Sequence, residues 1–196
     1  MELEVGFGNG VQRFTVPERN LQGVLTPNPV PHALTGEREV RRALSSPIGA
    51  PLLREVIHPG EKIAIITSDI TRPMPTYTVM PALLDELYAG GARPEDITLV
   101  FALGSHRAQT PEEMRHLAGE QAWAQIRCVD SDPADVVHLG VTSAGTPVDI
   151  TRVVAEADRR ICLGNIDITT LPDIPAAPRP LCPASPLPAR SSPITP

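Results

Sequence analysis

The run Lys62-Ile63-Ala64-Ile65-Ile66-Thr67 leads directly into the polar segment Ser68-Asp69-Ile70-Thr71-Arg72-Pro73. A short, nearly continuous β-branched run predicts a strand buried on both faces, with a polar loop where it leaves the sheet. Residues 77–89 follow, with Met80, Leu83, Leu84 and Leu87 at helical spacing and Gly90-Gly91 as the stop. Pro81 falls in the first turns, where a proline costs a helix least. The same order then repeats. Residues 96–102 read as a second buried strand that also ends in a polar loop, Gly104-Ser105-His106-Arg107.

Thr110-Pro111-Glu112-Glu113 carries the hydroxyl cap, first-position proline and first-turn acids of a helix start. Residues 126–129, 136–139 and 146–150 are further strand candidates, with a short helix near 152–156. Arg160-Ile161-Cys162-Leu163 reads as a last strand, ending at Gly164-Asn165-Ile166-Asp167. Upstream, residues 2–20 alternate apolar and polar around Gly6-Phe7-Gly8-Asn9-Gly10, the pattern of a small antiparallel hairpin. No lysine follows that glycine cluster at the spacing of a phosphate loop. Residues 21–32 hold Pro27, Pro29 and Pro31 and predict an extended connector; residues 37–44 and 52–57 predict short helical pieces. Strands alternating with helices imply an α/β fold: a mainly parallel sheet flanked by helices, preceded by a small N-terminal β-hairpin.

Composition narrows the function. The chain has 196 residues, a formal net charge of −6 and 41% hydrophobic residues. An acidic balance argues against nucleic acid and membrane surfaces as partners, because both demand clustered positive charge. No apolar run approaches a membrane span, and the start Met1-Glu2-Leu3-Glu4-Val5 lacks the basic and apolar stretches of a signal peptide, so a cytoplasmic location is expected. Cys128, Cys162 and Cys182 are too few and too scattered for a disulfide framework or a paired-cysteine zinc site, and no metal ligands are assigned. Of the 17 basic residues only Lys62 is a lysine, so any lysine-dependent chemistry must use it. Nine of the 23 prolines fall within residues 171–196. From about residue 168 neither helical nor strand period persists, which predicts a disordered proline-rich tail after a domain of residues 1–167.

In an open parallel sheet, ligands bind beyond the carboxyl ends of the strands. Asp69, Thr71 and Arg72 follow the first buried strand, and Ser105, His106 and Arg107 follow the second, so both loops fall on that edge. Arg72 suits a carboxylate or phosphate, since its planar fork makes two-point contacts. His106 alone among the five histidines follows a buried strand directly, and imidazole titrates in the range useful for acid–base chemistry. Asp69 and Thr71 equally suit a helix cap or a loop brace. The residues alone give an anionic-ligand site, which a non-catalytic small-anion or nucleotide-binding module would share.

Ser68-Asp69-Ile70-Thr71-Arg72-Pro73-Met74-Pro75 and Ala102-Leu103-Gly104-Ser105-His106-Arg107 resemble motifs of the nickel-dependent lactate racemase family. Gly6-Phe7-Gly8, Val16-Pro17-Glu18-Arg19-Asn20, Leu139-Gly140-Val141-Thr142-Ser143-Ala144-Gly145-Thr146-Pro147 and Leu163-Gly164-Asn165-Ile166 support the resemblance, which is collinear over residues 3–167. It implies the N-terminal catalytic domain of a longer enzyme. Such an enzyme racemises or epimerises lactate or another 2-hydroxy acid through hydride transfer to a nickel pincer nucleotide. It also implies that His106 acts as acid and base on the substrate hydroxyl. Asp69 and Arg72 match active-site positions that contact substrate or cofactor, and Thr71, Ser105 and Arg107 accompany them. The family continues with a second histidine, a cofactor-bearing lysine and a nickel-ligating histidine. No histidine follows His138 and no lysine follows Lys62. The expectation is therefore a chain truncated or frameshifted after about Asp167, inactive by itself and in need of the missing C-terminal half.

Overall fold

The computed structural model describes residues 1–165 apart from Asn9, Pro27, Val30 and Pro73. The expected disordered tail, from residue 168, lies outside the described residues. The chain divides into two units, Met1–Ala33 and Leu34–Pro196. In the first, β1 (Glu2–Phe7) pairs antiparallel with β2 (Gly10–Thr15), as the alternating pattern predicts. The pairing sets Glu4 opposite Arg13, which form an ion pair of 2.5 Å. One 3-10 turn follows at Glu18–Asn20, and residues 21–32 form no regular element among those described.

The second unit begins with α1 (Glu37–Ser45) and α2 (Leu53–Val56). Next come β3 (Ile63–Ser68), α3 (Thr76–Ala89) and β4 (Ile97–Ala102). Two helices, α4 (Pro111–Ala118) and α5 (Glu120–Gln125), lead to β5 (Arg127–Asp130). Then follow β6 (Val136–Val141), β7 (Pro147–Thr151), α6 (Arg152–Ala155) and β8 (Arg159–Cys162). Four strands form a parallel sheet in the order β5-β4-β3-β8. Sequence-adjacent parallel strands need a long crossover, which α3 and the α4–α5 pair provide.

Alternation along β3 sends Ile63 and Ile65 to one face and Ala64 and Ile66 to the other. The first face packs on Met80, Leu83, Leu84 and Leu87 of α3, together with Leu99 and Phe101 of β4 and Leu117 of α4. The second face is thinner: Ala64, Ile66, Val100 and Ala102 meet Val154 and Ala157, with Ile150 and Val153 at its margin. Both faces are covered, which is why β3 and β4 read as continuous apolar runs.

Two expectations change in detail. β6 and β7 form their own antiparallel ladder, because residues 142–146 are a tight turn far too short for a parallel crossover. The helix expected from Thr110 is two helices, broken at Gly119. There φ is +78°, and an added Cβ would lie 3.2 Å from the Tyr77 Cβ.

Leu84 is wholly buried between α3 and the sheet, whereas Ile48 is fully exposed. Leu84→Ala should lower the stability of the chain by about 2–5 kcal/mol in urea unfolding, and Ile48→Ala should change it by less than about 0.5 kcal/mol. Equal effects would contradict this placement of the core.

Candidate active site

The register of the central pair sets Ser68 opposite Ala102, so the loops after β3 and β4 leave the sheet side by side. Each loop turns back at once. The first is closed by the Arg72 N–H donating to Asp69 O at 3.2 Å, and the second by the His106 N–H donating to Leu103 O at 3.1 Å. Gly104 has φ +60° and allows that second turn, a conformation that costs glycine nothing. The turns bring Asp69 and His106 together although 37 residues separate them.

Asp69 is only 2% exposed, and both of its carboxylate oxygens are satisfied. Oδ1 accepts from the Thr71 N–H at 3.1 Å and from the Thr71 hydroxyl at 2.6 Å, and Oδ2 pairs with His106 Nδ1. Burial pushes the Asp69 carboxyl up, but the hydrogen bonds from Thr71 and His106 outweigh it and hold the group below the usual carboxylate range. Asp69 is therefore ionised at neutral pH, and its contribution to stability is lost only as pH falls through that lowered value. An ionised carboxylate only accepts hydrogen bonds, so His106 Nδ1 carries the proton between them. The Thr71 hydroxyl also lies 3.1 Å from His106 Nδ1.

The other candidates sort differently. The Arg72 guanidinium reaches the carbonyl of Thr71 at 3.3 Å, and no carboxylate among the described residues forms an ion pair with it. Arg107 is engaged on both terminal nitrogens by Glu113, at 2.7 and 2.8 Å, and also donates to Ala108 O. Ser105 is exposed in the turn. The structure thus joins Asp69, Thr71 and His106 by hydrogen bonds, sets Arg72 next in the chain, and directs Arg107 onto α4.

Several polar groups were not foreseen. Gln109 is buried and bridges the β3 loop to Asp130 at the end of β5. Ser131 Oγ accepts from the Leu103 N–H at 3.1 Å, and the buried hydroxyls of Thr67 and Thr76 lie 2.6 Å apart, joining β3 to the start of α3. The available signal was a third strand end: Asp130 closes β5 on the same edge. Three other histidines of the same unit lie elsewhere. His116 faces the Tyr77 ring, His138 pairs with Asp149 at 2.7 Å, and His58 lies beside Arg159.

At the opposite, amino edge of the sheet lies a cleft of about 530 Å³, lined by residues that include Lys62, Asp96, Arg127 and Arg152. Most of its charges neutralise one another. Lys62 Nζ donates to Asp96 Oδ1 at 2.8 Å, and Arg152 pairs with Asp135 and Glu156. No histidine is among the residues that line it, and its paired charges read as braces for the strand starts. The single lysine of the chain is thus held away from His106, and among the described residues no three His, Cys, Asp or Glu side chains gather as a metal site. The described residues offer a buried carboxylate paired with a histidine and do not fit an anchor for a lysine-bound, nickel-holding nucleotide.

A family model described as the lactate racemase N-terminal domain matches residues 7–171. The chain is 31% identical over 170 residues to a lactate racemase of Thermoanaerobacterium thermosaccharolyticum, covering 84% of this chain and 40% of that protein. It is 34% identical over 139 residues to the lactate racemase of Lactiplantibacillus plantarum, covering 68% of this chain and 32% of that protein. Among solved structures, the lactate racemase apoprotein from T. thermosaccharolyticum aligns with TM-score 0.68 at 30% identity, over 83% of this chain and 38% of that one. The chain thus spans about two fifths or less of the length of these relatives. With the family model matched over most of its length and the same fold in a solved relative, the chain belongs to the lactate racemase N-terminal domain family.

Proposed function

We propose that the chain performs the substrate-binding and proton-handling part of a lactate racemase-like reaction on a 2-hydroxy acid. The observation that carries this is the Asp69–His106 pair at the carboxyl edge, with Arg72 following in the same loop. With Nδ1–H committed to Asp69, Nε2 is the nitrogen that takes the proton of the substrate's 2-hydroxyl and gives it back to the product of opposite hand. A buried, ionised Asp69 also stabilises the imidazolium formed between those two events, as an orienting carboxylate does for a catalytic histidine. Arg72 supplies the fork for the substrate carboxylate, since its guanidinium is not spent on an acid among the described residues. Arg107, paired with Glu113, braces the His106 loop against α4.

The nickel pincer nucleotide implied by the family would supply the redox capacity that a histidine lacks. Its lysine anchor is missing from the carboxyl edge of this chain, because Lys62 is ion-paired at the other edge. In this reading the remaining groups come from the part of the longer relatives that the chain does not span.

Lactate should raise the thermal unfolding temperature of the 196-residue chain, and Arg72→Ala should weaken the fitted affinity about 10- to 100-fold, the size of a lost two-point charge-assisted contact. No shift with lactate, or the same shift in Arg72→Ala, would sink the reading. The purified polypeptide alone should not interconvert L- and D-lactate in a polarimetric assay with added nickel. Turnover accompanied by one bound nickel per chain would contradict the assignment of the cofactor anchor to other residues.

A further inference from the structure

Gln109 makes three hydrogen bonds to two partners from a position that is 8% exposed. Its side-chain Oε1 accepts from the Ile70 N–H at 2.9 Å, inside the turn that carries Asp69. Its Nε2 donates to Asp130 Oδ1 at 2.9 Å, and its own backbone N–H donates to Asp130 Oδ2 at 2.8 Å. The amide orientation is settled by these partners, since an N–H must meet the oxygen and a carboxylate must meet the nitrogen. Asp130 is the last residue of β5, in register beside Phe101 of β4. One side chain therefore fastens the β3 loop to the end of a strand two places away in the sheet, and it does so three residues after His106.

We propose that Gln109 is a positioning residue that, clamped by Asp130, sets the distance between the Asp69 turn and the His106 turn and so keeps the proton on His106 Nδ1. Among the described residues, the other hydrogen bonds that hold the Asp69 turn are its own local ones and those to His106. Opening the Asp69–His106 pair by a fraction of an ångström weakens the bond that favours the Nδ1–H tautomer over the one with the proton on Nε2. Geometry of this kind is where residues remote from the reacting atoms act on rate. The inference deepens the acid–base reading of His106 and rests on it, so its test reads the ring itself and needs no substrate.

The test uses the full chain with 15N-labelled histidine, at a pH where the imidazole is neutral, and His106→Gln to assign the signal. In the unaltered chain the ring nitrogens should report the Nδ1–H tautomer. Gln109→Met keeps the side-chain length and removes both side-chain hydrogen bonds. It should speed Ile70 amide exchange about fivefold, as expected for a lost bond of about 1 kcal/mol, and shift His106 toward the Nε2–H tautomer. Asp130→Asn is the second breaking variant if Gln109→Met does not fold, because either amide orientation then leaves two donors facing each other. The double variant Gln109→Glu/Asp130→Asn reverses one donor–acceptor direction while restoring all three hydrogen bonds and the net charge. It should return both the Ile70 exchange rate and the His106 tautomer to their original values. Faster Ile70 exchange with an unmoved tautomer would reduce Gln109 to a loop brace and overturn the proposal. Unchanged Ile70 exchange in the single variants, or a double variant that fails to restore the tautomer, would overturn it as well.

Discussion

Removing the Asp69 carboxylate from water costs several kcal/mol unless both oxygens find donors. Sequence neighbours supply only part of that need. Thr71 covers Oδ1 with its backbone and its hydroxyl, and Oδ2 must take its donor from a different loop. The charge therefore makes the carboxyl edge an all-or-nothing construction. Either the β3 and β4 loops come together with His106 against Asp69, or a buried anion is left half satisfied. The same bond that stabilises the edge orients the imidazole, so here stability and the chemistry proposed for the site rest on one contact.

That contact is possible because of the sheet beneath it. Parallel pairing of β3 with β4 in matched register brings both strand ends to the same height, and burial on both faces keeps those ends from shifting. Phe101 and Leu99 on one face and Val100 and Ala102 on the other fix β4 in translation. Beyond the ends, the Leu103 N–H on Ser131, the Thr67–Thr76 hydroxyl pair and Gln109 on Asp130 carry the register of the strands up into the loops. A close-packed core thus passes its precision to a histidine that is itself only partly buried.

What could be read in the sequence follows the range of the interactions. The strands around residues 62–67 and 96–102 announce themselves through uninterrupted β-branched and aliphatic runs, and the start of α4 through its local cap. Thr110 Oγ1 accepts from the Glu113 N–H at 3.2 Å, and the Glu113 side chain accepts from the Thr110 N–H. The placement of Asp69 and His106 on one edge follows from the strand–loop order alone. Gln109 stayed hidden because its partners are 39 and 21 residues distant and no local pattern marks them. The commitment of Arg107 to Glu113, six residues on, was likewise out of reach, since the same arginine one turn away could face the ligand. The split at Gly119 depends on the approach of Tyr77 from another helix, a tertiary fact.

The carboxyl edge, and not the cleft at the amino edge, is the proposed seat of the 2-hydroxy acid. Titrating the 15N-labelled chain with L-lactate and with D-lactate, and following the backbone amides by NMR, tests it most directly. Shifts concentrated on residues 69–72 and 104–107 are expected with both enantiomers, since the proposed reaction requires the site to hold each hand. Shifts concentrated on Lys62, Asp96, Arg127 and Arg152, or none at saturating lactate, would contradict it.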